Sequence, residues 1–204
     1  MYKKPVIVFE GVEGSGKSFH LNNVCNFLKK KKIPFLRLRE PGGCKNAEKI
    51  RKLLLNKKSN FNKNTDLLLY LASRSENISL LKKNYKKKII IIDRFIDSTV
   101  AYQHYGLGVG LSLIKKINNY IISGFKVDFT FLNIVSNENM IKRLKKRKNL
   151  NRYDKFDSKF YSKVQNGFLK ISKKNTKKYL IVDSNLKINE NKIKIIQKIN
   201  EIIK

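Results

Sequence analysis

Cysteine is nearly absent: Cys25 and Cys44 are the only two in 204 residues. Two cysteines make no disulfide framework, and theirs match no zinc spacing. Long apolar runs are missing as well, and none approaches the ~20 residues that a membrane-spanning helix needs. No secretory leader stands between Met1 and the apolar segment at 6–10, so a cytosolic chain is expected. Acidic residues are scarce, 15 against 46 Lys and Arg, for a formal net charge of +31. So one-sided a charge suits a nucleic-acid or anionic-membrane partner. It also follows from heavy use of Lys, Asn and Ile along the whole chain. The lysines favour the second explanation. They are scattered over helix faces and loops, at 29–32, 86–88, 145 and 146, rather than gathered beside aromatic stacking positions. No specific nucleic-acid partner and no membrane partner is therefore expected, although the excess charge attracts phosphorylated small molecules. Repeats and linkers are absent too. One domain over residues 1–204 is expected, long enough to bury a core without staples.

What is present is concentrated near the start. Residues 6–10 (Val-Ile-Val-Phe-Glu) read as a buried strand. Gly11-Val12-Glu13-Gly14-Ser15-Gly16-Lys17-Ser18 follows, a gapless match to G-x-x-x-x-G-K-[ST]. Its glycines let successive N–H groups turn inward toward phosphate oxygens. Lys17 can reach the outer phosphates, and the Ser18 hydroxyl can ligate Mg2+. Leu21, Val24, Cys25 and Leu28 then recur at helical spacing. A helix N-terminus thus faces the same phosphates and adds its dipole. Strand, loop and helix together point to nucleoside-triphosphate binding. Cys25 falls on the apolar stripe and reads as packing.

Further strands are expected at 33–38, 89–93, 127–133 and 179–183. Helices are expected at 47–55, 67–81, 111–122, 138–147, 156–171 and 189–203, with another opened by Asp97-Ser98-Thr99 as cap residues. Residues 148–153 read as a basic loop. Strands alternating with helices predict an α/β fold: a five-stranded parallel sheet between helical layers, with right-handed crossovers. The strand at 89–93 is apolar until Asp93, with Arg94 next. An acid delivered at the carboxyl end of a buried strand can hold Mg2+ or its water. An arginine beside it can clamp phosphate. Tyr70 and Arg74 are four apart and share one helix face, an aromatic and a guanidinium suited to a flat base with carbonyl edges.

The run from Phe9 to Ser18, the stretch Arg39-Glu40-Pro41-Gly42-Gly43 with Ala47-Glu48-Lys49-Ile50-Arg51, and Asp93-Arg94-Phe95-Ile96-Asp97-Ser98-Thr99-Val100-Ala101-Tyr102-Gln103 together resemble the bacterial-type thymidylate kinases. The likeness continues through Leu150-Asn151-Arg152-Tyr153-Asp154. It implies a three-layer P-loop fold with a short lid at about 143–156. It implies Mg2+-assisted, in-line phosphoryl transfer from ATP to dTMP on the way to dTTP, usually by a homodimer. Carried over residue by residue, it puts Tyr70 on thymine. Arg74 and Gln103 fall at the thymine edge, beside Ser98 and Thr99, and Tyr102 at the sugar 2′ position. Arg51 and Arg94 fall on the monophosphate, and Glu13 and Glu40 near sugar and phosphate. Arg143 falls near adenine with Arg147 on the lid side, and Arg152 over the transferring phosphate. Lys17, Arg94 and Arg152 become the catalytic cations, and Ser18 and Asp93 the metal-side oxygens. The chain departs from the pattern at Lys148 and Asn149, where relatives often have glycine. It departs again at Asn151, where an acid is usual, and at His104-Tyr105, where glycine is common.

Overall fold

A computed structural model describes residues 4–147 and 151–203. The expected loop residues Lys148, Asn149 and Leu150, and the start of the chain, lie outside the described residues. Five strands form one parallel sheet: β1 (Val6–Glu10), β2 (Phe35–Arg39), β3 (Ile89–Asp93), β4 (Phe129–Ile134) and β5 (Tyr179–Asp183), in the order β2-β3-β1-β4-β5. The three central strands are runs of β-branched and aromatic residues buried on both faces, as parallel strands require.

Helices cover the sheet on both sides. They are α1 (Lys17–Lys30), α2 (Lys45–Leu55), α3 (Lys63–Asn84), α4 (Ile96–Thr99), α5 (Leu111–Ile122), α6 (Asn137–Lys145), α7 (Ser158–Lys173) and α8 (Ile188–Ile203). Alternation of side chains along β1 sorts the core. Ile7 and Phe9 pack with Leu21, Val24, Cys25 and Leu28 of α1 and Ile195 and Ile199 of α8. Val6 and Val8 pack with Ile78 and Leu81 of α3 and with Phe95 and Phe125. Each such side chain, fully buried, contributes about 1.5–3 kcal/mol of hydrophobic transfer. Cys25 is packing, as its place on the stripe suggested.

Two departures from the sequence reading matter for the site. Asp97, Ser98 and Thr99 do not cap a helix. They lie within α4, whose N-cap Phe95 makes no side-chain cap bond. Their side chains are drawn elsewhere: Ser98 to Glu10, and Asp97 to the Tyr179 hydroxyl at 2.7 Å. The helix then continues not as α but as a π-helix, Val100–Gly106. Ala101, Tyr102 and Gln103 are buried in succession along it. The π-helix packs tightly on α7: a Cβ at Gly106 would lie 2.7 Å from the Phe160 ring.

The connections from β1 and β3 leave in opposite senses, outward to β2 and back across to β4. Their carboxyl ends therefore flank a crevice, the place where open parallel sheets bind ligands. Phe9 and Asp93 are level across that crevice.

Candidate active site

The Gly-rich loop leaves β1 at Glu10 and folds back over its own carbonyls. Gly11 has φ 136°, and a Cβ there would lie 2.1 Å from the Asn133 carbonyl oxygen, so no other residue fits. Ser15 Oγ donates to the Val12 carbonyl at 2.7 Å, and Ser184 Oγ donates to the Ser15 carbonyl at 2.6 Å. Gly16, at φ 81°, is the N-cap of α1 and makes no side-chain cap. The first amides of α1 thus lack a side-chain acceptor, as an anion-binding helix start requires. Lys17 lies in the crevice with Nζ donating to the Val12 carbonyl at 3.0 Å. Burial, reinforced by Arg94, pulls its amine down to about 8.

Arg94, just beyond β3, is a non-glycine residue in the left-handed region at φ 65°. It is held there from several sides. Its guanidinium donates to the Gly11 carbonyl at 2.7 Å and to Glu13 Oε1 at 2.9 Å, and lies over the Tyr102 ring at 5.2 Å. Burial would push Glu13 up, but Arg94, Lys17 and the Tyr102 hydroxyl outweigh it and hold the carboxyl below its usual range. The Tyr102 hydroxyl donates to Glu13 Oε2, so the tyrosine is a polar partner as well as a wall.

Glu10 closes the first strand and has no evident task in the sequence motifs. The structure gives it one. Its Oε1 accepts from the Phe95 and Ser98 amides at 2.8 and 3.2 Å, and its Oε2 accepts from Ser98 Oγ at 2.5 Å. It thereby braces the turn that presents Arg94. Burial, then the nearby Asp97 charge, pushes Glu10 up from 4.5 to about 7. The folded state thus holds this proton more tightly than the unfolded chain. Its stabilising effect is complete below about pH 4.5 and is lost as pH rises through about 7. The melting temperature is expected to fall between about pH 5 and 8, and Glu10→Gln to flatten that fall. Melting curves of both proteins across this range check it; equal slopes would remove Glu10 as the source.

The Arg39–Gly43 segment faces the loop from across the crevice. Arg39 forms a two-pronged pair with Glu48, and the Gly43 amide donates to the same carboxylate at 2.8 Å. Ser73 and Asn77 of α3 bond the Gly42 amide and carbonyl. Arg51 donates to the Pro41 carbonyl at 2.6 Å. Glu40 was expected near sugar and phosphate. It reaches the cavity wall, but its Oε2 takes both Nε and Nη2 of Arg74 at 2.8 Å. Arg74 is 1% exposed, and its Nη1 donates to Asn118 Oδ1 of α5 at 2.5 Å. A buried arginine needs such partners, and Glu40 and Asn118 aim it. Thr99 Oγ1 beside it is buried with no protein partner.

On the lid side, Arg143 of α6 bonds the Gly14 and Ser184 carbonyls at 2.9 and 2.7 Å, and Arg147 pairs with Asp154 at 3.0 Å. Residues Arg152–Lys155 form a 3-10 turn closed by a reciprocal Asn151–Asp154 capping box.

These groups surround one cavity of about 580 Å³. It brings together the site residues expected from sequence except Gly11, Val12 and Arg152. Gly11 and Val12 act through their carbonyls, on Arg94 and Lys17. Arg152, expected over the transferring phosphate, stands between two residues that line the cavity, Asn151 and Tyr153. It lies outside this cavity, paired with the buried Asp66 and stacked near Phe61, because a buried carboxylate draws a cation. Arg39 and Tyr153 also line the cavity and were not foreseen there.

A family model described as thymidylate kinase matches residues 9–195. A thymidylate kinase of Thermosipho africanus is 39% identical over 82% of this chain and 84% of its own. One of Mycoplasma mobile is 40% identical over 81% of this chain and 82% of its own. The crystal structure of thymidylate kinase from Ehrlichia chaffeensis covers 98% of this chain and 99% of its own. Its TM-score is 0.79 at 31% identity.

Proposed function

The chain belongs to the thymidylate kinase family, nucleoside monophosphate kinases that phosphorylate dTMP to dTDP with ATP, and from that premise we propose how its residues divide the work. The observation that carries the assignment is the placing of Arg94 between the phosphate loop and the Arg39–Gly43 segment, inside one cavity. The loop amides, Lys17 and the start of α1 take the ATP phosphates. Arg51 and Arg94 take the phosphate of dTMP, bringing two anions together against their repulsion. Tyr70 faces the base, Arg74 and Gln103 read its edge beside Ser98 and Thr99, and Tyr102 closes on the sugar. Glu13, held ionised, is left to accept from a sugar hydroxyl. No general base is needed, because the attacking oxygen of dTMP is already ionised. Arg143 and Arg147 face the donor side from the lid at about 143–156 of the one kinase domain. Of the lid cations, Arg143 and Arg147 line the cavity, and Arg152 approaches the transferring phosphate from the turn beside it.

Ser18 and Asp93 both line the cavity and offer only oxygen, the donor type a hard divalent cation takes. Among the described residues no group of three or more His, Cys, Asp and Glu could hold a metal ion, so other ligands would be phosphate oxygens and water. When bound there, Mg2+ supplies charge neutralisation on the transferring group. A cytoplasmic homodimer completes the reading. Exposed Leu53 and Leu68 on the paired helices α2 and α3 supply apolar surface for a second copy. No helix among the described residues is long and apolar enough to cross a membrane.

A panel of monophosphates with ATP tests the acceptor assignment. dTMP is expected to exceed dCMP and its own ribose analogue in kcat/KM by about tenfold or more each. Equal use of all three would remove Arg74, Gln103 and Tyr102 as the specificity residues.

A further inference from the structure

Asp66 has no place in the motifs above and lines no part of the main cavity. It is 2% exposed, on the first turn of α3. Its carboxylate accepts from three side chains: Gln103 Nε2 at 3.4 Å, the Tyr153 hydroxyl at 2.6 Å, and Arg152 Nη2. Gln103 belongs to the π-helix, whereas Arg152 and Tyr153 belong to the lid turn. Gln103 and Tyr153 both front the cavity that Asp66 stands behind.

We propose that Asp66 is a positioning residue that orients the Gln103 carboxamide toward the acceptor base and ties the lid turn to the same recognition. This rests on the reading of Gln103 as a base-edge reader. A carboxylate only accepts, so it is the Gln103 nitrogen that must face Asp66. The carbonyl Oε1 is then what the carboxamide offers a ligand. An acceptor there suits a base whose ring edge presents N–H, as thymine does at N3. Cytosine presents a lone pair at that position and is rejected. Through its other partners the same carboxylate seats the lid. The Tyr153 ring meets Tyr70 and Tyr102 edge-on, at 6.1 and 5.8 Å between centroids, so the wall against base and sugar is built by the turn that Asp66 holds. The Arg152 guanidinium is the cation that pairs with the buried Asp66 carboxylate.

Asp66→Asn keeps the size but can donate as well as accept, so Gln103 is free to turn its amide over. The test measures kcat/KM for dTMP and dCMP in the wild type, Asp66→Asn and Gln103→Ala. Asp66→Asn is expected to narrow the dTMP-over-dCMP ratio about tenfold. A merely structural role would lower both substrates together and leave the ratio unchanged, which overturns the proposal. If Gln103→Ala also leaves the ratio unchanged, it is the base-reader assignment that fails. If Gln103→Ala narrows it and Asp66→Asn does not, only the role of Asp66 fails. The coupling is measured on the wild type, whether or not the variant folds. Amide hydrogen exchange at 151–155 should slow about tenfold when dTMP is added without ATP. Equal rates with and without dTMP overturn the tie between base and lid.

Discussion

Replacing Lys17 with alanine is expected to lower kcat for phosphoryl transfer by about 10²–10³-fold, the loss typical of one electrostatic donor to a transition state. The fold should survive. Lys17 projects from the start of α1 into the cavity, and its one protein partner is a carbonyl of the loop itself. Its charge is also disfavoured by the fold. Burial and Arg94 depress the amine to about 8 from 10.5, so the unfolded chain binds that proton more tightly. A lysine with a depressed pKa works against folding below about pH 8, and alanine removes that penalty along with one hydrogen bond. The melting temperature should therefore move by no more than about 4 °C, the equivalent of roughly 1 kcal/mol in a chain of this size. ATP affinity should weaken with turnover. A folded Lys17→Ala protein with near-normal kcat would take the loop out of the mechanism.

Arg74→Ala is expected to act on function and stability together. Removing the guanidinium strips the acceptor site of its buried donor and should lower kcat/KM for dTMP by about 10²-fold or more, as when a buried polar site loses its match. ATP affinity should change less than about twofold, because the phosphate loop follows β1 whereas Arg74 is held by Glu40 just after β2 and bonds no residue of that loop. Stability should also fall, by about 3–5 kcal/mol, since Glu40 is left as a buried carboxylate without its cation. The double variant Glu40→Gln/Arg74→Met separates the two effects. It removes both charges, so it should recover most of the lost stability while dTMP remains a poor substrate. Titrations with each nucleotide and a melting curve for both variants decide the matter. Parallel loss of ATP and dTMP affinity would displace Arg74 from the acceptor side.

Much of this was legible because it is local. The phosphate loop is written in eight consecutive residues whose glycines admit backbone angles other residues resist. The inner strands announce themselves as largely apolar runs, two of them closed by Glu10 and Asp93, and the stripe on α1 follows from helical spacing. Strand count, parallel pairing and the site at the strand ends follow from such patterns, because a βαβ unit has few ways to close. Helix limits shifted by a few residues where caps decide them, as Asn62 does by accepting from the amides of Asn64 and Thr65.

The tertiary structure decided which charge meets which. Glu40 finds Arg74 across 34 residues, Arg74 finds Asn118 across 44, Glu10 finds Ser98 across 88, and Asp66 finds Arg152 across 86. No spacing rule reaches so far, and in a chain with 46 basic residues an arginine on a helix face reads the same whether solvated or buried. The outcome turns on desolvation: a carboxylate taken out of water must gain a cation or its proton. Arg152 thus pairs with Asp66 beside the cavity, and Glu40 holds Arg74 through one carboxylate oxygen while lining the cavity. The π-helix is of the same kind. Nothing in its local sequence separates a π turn from an α one, and close packing of Gly106 against α7 and of Gly167 against Tyr105 accompanies it. Residue types and their order along the chain determined the Gly-rich loop and its place after the first strand; only packing decided which side chains line the cavity beside it.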